Sequence, residues 1–440
     1  MLTSSISRMI VKVMFKNFIQ KRLENYVRQY FQKHPEVKLV AVAGSVGKTS
    51  TKTAIATVLS KKFRVRMLDG NHNTHMSAPL GILGIDYPEN LRSVAEWLRV
   101  FGAARRRIRE PSDVDVIVQE LGSNRPGDVA HFGTYLRPDI GVVTAVTPEH
   151  MEFFGSIEAV AEEELALANF SKLAIINRDD IDGRFAQFLT NENVDTYGTT
   201  AAAEFRIEVK DFDVEHGYAG WLVLSGYSET YPADIRVIGE HSLRPISGAA
   251  AVAVKLGMGP HEIVEGIDDI VPVPGRMNLL RGIEKSTLID DTYNSSPASA
   301  EAALQTLYSM QSPQRIAILG SMNELGDSSA MEHEKLGNLC DANLLAWVIT
   351  IGNEAEQYLA PAAKSRGCQV KSCKTAIEAG AFAHKVLEEG AVVLAKGSQG
   401  DIYSEEAIKM LLHATSDDHK LVRQSPSWIA KKNAFFSKSQ

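Results

Sequence analysis

The chain of 440 residues is too long for one ordinary hydrophobic core, so we expect two or three domains. Its 44% hydrophobic and 23% charged residues are typical of a globular protein and exclude a disordered or fibrous one. A formal net charge of −7 argues against a nucleic-acid-binding protein, because such proteins usually carry a basic face.

The cysteines and the apolar runs predict the compartment. Cys340, Cys368 and Cys373 form neither a disulfide framework nor a zinc spacing, so we interpret them as free thiols in a reducing environment. No apolar run reaches the roughly 18 to 20 residues of a spanning helix, and charges interrupt the N-terminal apolar stretch, unlike a signal peptide. The sequence therefore predicts a cytoplasmic protein.

Residues 1–36 are predicted to form one amphipathic helix, with basic residues between the apolar ones, that ends at Pro35. Two interpretations stay open. The helix lies on the cytoplasmic membrane surface or docks a partner, or it packs on the next domain as a brace. Its apolar face carries Met9, Ile10, Val13, Phe15, Phe18 and Ile19.

From Val37 onward, short β-type apolar runs alternate with helix-like segments, which predicts a mostly parallel sheet covered by helices on both faces. Residues 204–238 alternate polar and apolar side chains instead and predict an antiparallel insertion. A proline-rich joint, Val271–Gly275, marks a boundary. The predicted units are a central α/β domain (37–272), a Rossmann-like α/β domain (273–415) and a polar tail (416–440).

A glycine-rich loop, Gly44-Ser-Val-Gly-Lys-Thr-Ser50, lies between the first predicted strand and a helix. Its glycines let backbone N–H groups approach phosphate oxygens, and the helix N-terminus favours the anion. Lys48 is expected to reach the terminal phosphates and the Thr49 hydroxyl to take a Mg²⁺ position. Val42 replaces the first glycine of the common pattern, and the alternative is a plain glycine turn before a helix. The central domain is thus predicted to be a P-loop ATPase domain that binds ATP and Mg²⁺.

Glu120 and His150 each follow a predicted strand. The carboxyl ends of parallel strands meet in the ligand crevice of such sheets, where a carboxylate can hold Mg²⁺ beside phosphates. Taken alone, each is more simply a solvated loop residue. Together with Thr49 they favour a metal–phosphate site.

Several ordered motifs are similar to those of the Mur ligases, enzymes that build the peptide of bacterial cell-wall precursors. The similarity covers roughly residues 37–412 and is closest to the D-alanyl-D-alanine-adding branch. The motifs are Gly44-Ser-Val-Gly-Lys-Thr-Ser-Thr-Lys52, Gly70-Asn-His-Asn73, Glu120-Leu-Gly-Ser-Asn-Arg-Pro-Gly127, Pro148-Glu-His150, Phe154-Gly-Ser156, Pro274-Gly-Arg-Met277, Asp290-Asp-Thr-Tyr-Asn-Ser-Ser-Pro297, Met322-Asn-Glu-Leu-Gly326 and Lys396-Gly-Ser398.

The resemblance implies an ATP-dependent ligase that phosphorylates the carboxylate of a cell-wall peptide precursor and joins it to the amine of an amino acid or dipeptide. It implies catalytic roles for Lys48, Glu120, His150 and Arg276. The implied nucleotide-binding residues are Gly44, Ser45, Gly47, Lys48, Thr49, Ser50, Arg276, Asp291 and Asn294. The implied metal ligands are Thr49, Glu120, His150 and Glu164, and the implied substrate-binding residues are Asn71, Asn73, Asn323, Glu324 and Lys396.

Three departures from the family qualify this expectation. Glu164 occupies the position of a carbamoylated lysine, and we expect it either to replace that anionic ligand without CO₂ or to be a solvated acid in the run Glu162–Glu164. The His-Asn-x-x-Asn element linked to adenine recognition is His241-Ser-Leu-Arg-Pro245 here, without either asparagine. The family's UDP-binding domain does not fit into 1–36, so we expect an acceptor that lacks UDP, is lipid-linked or is held elsewhere.

Alternative functions come from two other classes. One is another ligase of the same superfamily, acting on folate or a polyamino acid, against which the Gly70–Asn73 and Asp290–Asn294 motifs argue. The other is a non-catalytic ATP-binding scaffold. The lost asparagines favour a scaffold, whereas retention of the phosphate-loop and metal-site residues argues against it.

Overall fold

Two sheets, one of nine strands and one of six, form the framework of the protein in the computed structural model, which describes residues 2–68, 70 and 72–438, with side chains from residue 14 onward. Both sheets are mostly parallel and alternate with helices, which confirms the predicted fold class. No helix in the described part of the chain combines the length and apolarity that crossing a membrane requires.

The chain begins with helix α1 (Leu2–Lys33), as its apolar pattern predicts. In its second half Leu23, Val27 and Tyr30 are fully buried in a core shared with the central sheet, so this half is a structural brace. Met14 and Phe18 are exposed. The side chains of Met9, Ile10 and Val13, part of the predicted apolar face, lie outside the described residues.

The central sheet has the order β2-β3-β1-β4-β5-β6-β7-β8-β9. The pairs from β2 to β7 are parallel, and β7, β8 and β9 pair antiparallel, which confirms the insertion predicted at 204–238. The strands are β1 (Lys38–Ala43), β2 (Val65–Arg66), β3 (Val116–Glu120), β4 (Ile140–Val143), β5 (Leu173–Asn177), β6 (Val194–Gly198), β7 (Phe205–Asp213), β8 (Gly217–Val223) and β9 (Thr230–Ile235).

Helices cover both faces of this sheet. Alternate residues of β1 enter different cores: Leu39 and Ala41 pack with α1, whereas Val40 and Val42 pack with the helices of the other face. The helices are α2 (Lys48–Leu59), α3 (Ala78–Leu83), α4 (Val94–Arg109), α5 (Asp128–Phe132), α6 (Met151–Phe154), α7 (Ile157–Phe170), α8 (Leu243–Lys255) and α9 (Pro260–Asp268), with 3₁₀ turns at Gly183–Phe188 and Glu240–Ser242.

The second sheet has the order β10-β11-β15-β12-β13-β14, in which only β10 pairs antiparallel. Its strands are β10 (Asn278–Arg281), β11 (Thr287–Asp291), β12 (Arg315–Gly320), β13 (Trp347–Ile351), β14 (Val370–Cys373) and β15 (Val392–Lys396). Its helices are α10 (Pro297–Ser309), α11 (Ser329–Asn338), α12 (Ala360–Ser365), α13 (Ala376–Val386) and α14 (Glu405–Lys409), with a 3₁₀ turn at Gly326–Ser328 and a π turn at Ala355–Leu359.

The segment predicted as a polar tail is instead folded against the second sheet. It contains a 3₁₀ turn at Thr415–Lys420 and helix α15 (Pro426–Phe436). The ring centroids of Phe435 and Phe436 lie 5.3 and 6.0 Å from that of Tyr403. The prediction failed because polar residues dominate the composition, while a few aromatic side chains make the tertiary contacts.

Candidate active site

The phosphate loop connects β1 to α2 and depends on two glycines in conformations that other residues adopt rarely. Gly47, at the N-cap of α2, has φ of 84°. Gly44 has φ of 134°, and a Cβ there would lie 2.1 Å from Thr144 Oγ1 at the end of β4. The amide of Ser45 donates to the Ala145 carbonyl at 3.0 Å. The loop is therefore held against the carboxyl end of the neighbouring parallel strand.

Lys48 lies in the centre of this site, half-buried. Its ammonium donates to the carbonyl of Gly44 and, at 3.2 Å, to that of Ser45, and lies 3.6 Å from Glu149 Oε2. Burial acts to lower its pKa, but nearby carboxylates, with Glu149 the strongest, outweigh burial and raise the pKa above the ordinary value. The side chain is therefore a cation poised in its own phosphate loop.

Glu120, the last residue of β3, is buried and shared by three side chains. Thr49 Oγ1 donates to Oε2 at 3.1 Å, and Asn73 Nδ2 donates to Oε1 at 3.1 Å. Lys52 Nζ lies 3.9 Å from Oε2. The structure thus brings together Thr49 and Glu120, predicted for the metal, and Asn73, predicted for the substrate. Asn71, another predicted substrate residue, lies outside the described residues.

His150 and Glu324 meet between the two sheets. His150 Nδ1 lies 2.8 Å from Glu324 Oε2, and both residues have left-handed backbone conformations, with φ of 51° and 66°. Burial acts to lower the pKa of His150, but Glu324 and Glu149 outweigh burial and raise it. Two residues predicted from separate motifs therefore form one contact between the central and C-terminal units.

Glu164 on α7 is 4% exposed, and its Oε2 accepts a hydrogen bond of 2.7 Å from the Gly44 amide. Burial raises its pKa to about 7. The interpretation of Glu164 as a solvated acid is therefore wrong, because α7 turns Glu162 outward and Glu164 into the phosphate loop. Among the described residues, no three Asp, Glu, His or Cys side chains form a group able to hold a metal, so the four predicted ligands do not assemble into one protein cage.

The C-terminal unit contributes Arg276 and the Asp290–Asn294 turn. The guanidinium carbon of Arg276 lies 4.4 Å from the centroid of the Tyr293 ring. Asp290 accepts a hydrogen bond from the Gly275 amide at 2.9 Å, and burial raises its pKa to about 6. Asp291 Oδ1 accepts from the Met277 amide at 3.2 Å. The acidic pair therefore fixes the backbone around Arg276.

Lys396, predicted to bind substrate, lines a cavity beside Arg276 but is almost fully enclosed. It is 1% exposed, and its ammonium donates to Asp291 Oδ2 at 2.6 Å and to the Asn294 carbonyl at 2.9 Å. Burial lowers its pKa. The Lys396 ammonium therefore stabilises the Asp290–Asn294 turn, because the buried Asp291 carboxylate requires a cation beside it.

Two cavities meet at Arg276. The first, which also contains Gly47, Ser50 and Asp291, is lined by residues that the sequence did not reveal as functional: Asn177, Asp180, Tyr197 and Arg244. Asn177 ends β5, so the strand-end rule that found Glu120 would have found it too. His241 lines this cavity, and burial lowers its pKa to about 4. The second cavity holds Ser45, Lys48, Thr49, Asn73, Glu120, His150, Arg276, Asn294, Asn323 and Glu324, together with Trp428 and Lys431, which the sequence analysis missed.

The residues fit a nucleotide with Mg²⁺. The loop is a glycine cradle in which a side chain at Gly44 would clash, and a hydroxyl and a carboxylate lie together at Thr49 and Glu120. Arg276 Nε is buried and makes no hydrogen bond within the described part of the chain. Mg²⁺ is commonly held by one or two such oxygens together with substrate phosphates, so a cage of protein acids is not needed.

Comparison with known proteins decides the family. Residues 42–253 match the Mur ligase middle domain, and residues 275–399 match the glutamate ligase domain of the Mur ligases. The chain belongs to the Mur ligase family. This membership confirms the prediction of an ATP-dependent carboxylate–amine ligase, and both matched regions contain predicted site residues.

The relatives of this chain in the Mur ligase family include two ligases that have the same name. The UDP-N-acetylmuramoyl-tripeptide–D-alanyl-D-alanine ligase of Bacillus subtilis is 26% identical over 89% of this chain and 79% of its own length. The ligase of the same name from Rickettsia prowazekii is 29% identical, but over 70% of this chain and 64% of its own length. The crystal structure of the MurF ligase of Thermotoga maritima in complex with ADP superposes with a TM-score of 0.71, at 24% identity, over 89% of this chain and 83% of that one.

Proposed function

We propose that this Mur ligase joins a cell-wall peptide precursor to an amino acid or dipeptide, with D-alanyl-D-alanine as the first candidate amine. The observation that carries the proposal is the convergence of Lys48 and Glu120, from the central unit, with Arg276 and Asn294, from the C-terminal unit, on one cleft. The names of the relatives from Bacillus subtilis and Rickettsia prowazekii supply the candidate substrates.

The proposed reaction has two steps. A carboxylate oxygen of the precursor attacks the terminal phosphorus of ATP, and the bond to ADP breaks. The amine nitrogen then attacks the acyl carbon, an amide bond forms, and phosphate leaves while the nitrogen loses a proton. Such phosphoryl transfer needs positioning and charge neutralisation more than covalent catalysis.

The charged residues of the cleft suit these needs. Loop amides and the Lys48 ammonium would neutralise charge that develops on the transferred phosphoryl group, and Arg276 would do so from the other unit. Thr49 and Glu120 would hold Mg²⁺, which withdraws charge from the phosphate oxygens when bound. His150, whose ring contacts Glu324, would be a further ligand of the Mg²⁺ ion.

Glu164 is proposed to supply the anionic oxygen that a carbamoylated lysine supplies in related ligases. Its burial and its place beside Lys48 support this role, and its bond to Gly44 adds a second, structural one. Asn73, Asn323 and Glu324 line the cleft and are the proposed contacts for the reacting substrates.

The test is product formation by the full chain with ATP and Mg²⁺. Cell-wall peptides, folates and polyglutamate are offered as acceptors, each with a panel of amines, and products are identified by mass spectrometry together with ADP release. An amide product with a cell-wall peptide supports the proposal. Products only with folate or polyglutamate would assign another member of the superfamily, and ATP binding without any amine-dependent ADP release would indicate a scaffold.

A further inference from the structure

The C-terminal clasp, residues 421–436, brings two side chains to the open edge of the proposed active site. Trp428 and Lys431 on α15 line the same cavity as Asn323 and Gln399. Trp428 is half-buried and Lys431 is exposed. These two residues belong to a segment beyond both matched family regions, and the proposed mechanism assigns them no role.

Buried ion pairs hold the clasp in place. Arg423 donates through Nε and Nη2 to the two carboxylate oxygens of Glu405, at 2.9 and 2.6 Å, and Glu405 is fully buried. Lys432, also buried, pairs with Glu405 at 3.3 Å and with Glu406. Because these charges are satisfied only when the clasp is docked, the position of α15 is well defined.

The clasp also forms hydrogen bonds to the Asp290–Asn294 turn. Arg423 Nη2 donates to the Thr292 carbonyl at 2.6 Å, and Nη1 donates to the Tyr293 carbonyl at 3.0 Å. The guanidinium group of Arg276 in turn lies over the ring of Tyr293. Trp428 and Lys431 are therefore placed in a fixed relation to the residues that face the phosphates.

Lys431 is a cation of this cleft to which the proposed mechanism assigns no anion. Its ammonium lies 4.7 Å from the centroid of the Trp428 ring, and within the described residues it forms no ion pair. Lys48 already contacts Glu149 and its own loop, and Arg276, which lines both cavities, is assigned to the phosphates. An ammonium beside an indole face suits a ligand with a carboxylate next to a small apolar group.

We propose that Trp428 and Lys431 recognise the free carboxylate end of the amino acid or dipeptide whose amine attacks the acyl phosphate, an inference that rests on the proposed function. The long precursor has room elsewhere, because a cavity bordered by Lys16 and Gln20 of α1 adjoins the cleft at Asn73 of the central unit. The side of the cleft that the C-terminal unit forms is therefore available to the amino acid or dipeptide.

The experiment compares D-alanyl-D-alanine with its C-terminal amide in steady-state kinetics, with ATP, Mg²⁺ and either UDP-N-acetylmuramoyl-tripeptide or N-acetylmuramoyl-tripeptide without UDP as the acceptor. The variants are Lys431→Met, Lys431→Arg and Trp428→Leu. Lys438→Met is the control, because it removes an exposed charge just beyond the clasp and outside the cleft lining. We expect Lys431→Met to raise the KM for the dipeptide about tenfold, the usual cost of a lost charge-assisted contact, while KM for ATP stays unchanged.

The amide substrate makes the test specific for charge. The wild type is expected to prefer the dipeptide to its amide, Lys431→Met to lose that preference, Lys431→Arg to retain it and Trp428→Leu to weaken binding of both. An unchanged preference in Lys431→Met overturns the inference, as does an effect confined to the KM for the tripeptide, which would assign Lys431 to the acceptor. A wild type that makes no product from D-alanyl-D-alanine with either acceptor refutes the proposed substrates and the inference with them.

Discussion

The Glu164 carboxylate accepts a hydrogen bond from the amide of Gly44, a residue far away in sequence that begins the phosphate loop. An ionised carboxylate in this position, buried beside Glu149 and Glu163, is costly, and burial raises its pKa from 4.5 to about 7. This hydrogen bond therefore joins the phosphate loop to α7. The Glu164 carboxylate that accepts it destabilises the folded state when it is ionised at neutral pH.

We predict that Glu164→Gln flattens the dependence of stability on pH. Because the folded pKa exceeds the unfolded one, stability from proton binding at Glu164 is complete below about pH 4.5 and is lost as the pH rises to about 7. Without Mg²⁺ or nucleotide, the variant should be more stable than the wild type at pH 8, by up to about 3 kcal/mol, and similar at pH 4.5. Urea unfolding at both pH values measures this, and parallel pH profiles would refute it.

The same variant should lose Mg²⁺-dependent turnover, because glutamine keeps the bond to Gly44 but not the negative charge. Wild-type turnover should not respond to removal of dissolved CO₂, since a carboxylate is already present. Full activity of Glu164→Gln would limit Glu164 to its structural role.

Removal of the Lys48 ammonium should abolish ligation and leave the fold intact. We expect Lys48→Ala to lower turnover by at least about a hundredfold, as the loss of one preorganised donor does in other active sites. ATP with Mg²⁺ should stabilise the wild type against heat but the variant much less. Lys62→Ala, which removes an exposed lysine just beyond α2, is the matched control and should retain activity. Normal turnover of Lys48→Ala would refute the nucleotide site.

The phosphate loop, Glu120 and His150 could be predicted because parallel strands present their carboxyl ends at one edge, so position along a strand gives position in space. Which of the two alternatives holds for Glu164 could not be decided from the sequence. A run of three glutamates suggests solvent, and only the helical phase together with the distant Gly44 shows that Glu162 is exposed while Glu164 is buried.

The packing of the clasp could not be predicted either, for a related reason. Arg423 and Lys432 add to a polar composition in the sequence, yet both are satisfied by Glu405, itself inconspicuous in a Ser-Glu-Glu run. Such a network exists only after the tertiary structure brings the charges together. The spacing of Trp428 and Phe435 was the signal for a packed helix face.

We predict that Arg423→Leu strongly destabilises the protein. The substitution leaves Lys432 as the one remaining cationic partner of Glu405 among the described residues and leaves the carbonyls of Thr292 and Tyr293 without their donor, which should cost about 3–5 kcal/mol. As a control, Asp418→Asn breaks the partly exposed pair with Lys409 and should cost about 1 kcal/mol or less. Denaturant midpoints measure both, and equal effects would show that the clasp is not held by its buried charges.

Buried and exposed apolar side chains of α1 should behave differently when they are truncated. Leu23→Ala, in the braced half, should cost about 2–5 kcal/mol of unfolding free energy. Phe18→Ala, at a side chain that is 57% exposed, should cost much less. Equal losses in denaturant unfolding would contradict the brace.

Membrane contact is then a separate prediction about the exposed side chains of α1, Met14 and Phe18. If it binds anionic headgroups, the full chain should co-sediment with anionic vesicles at low salt, and Phe18→Ala should weaken this without changing stability. Leu23→Ala should leave vesicle binding unchanged under conditions where it is folded, since Leu23 faces the protein interior. A full chain that stays in the supernatant refutes membrane contact and leaves the brace as the function of α1. This design separates the two roles because each variant alters one face only.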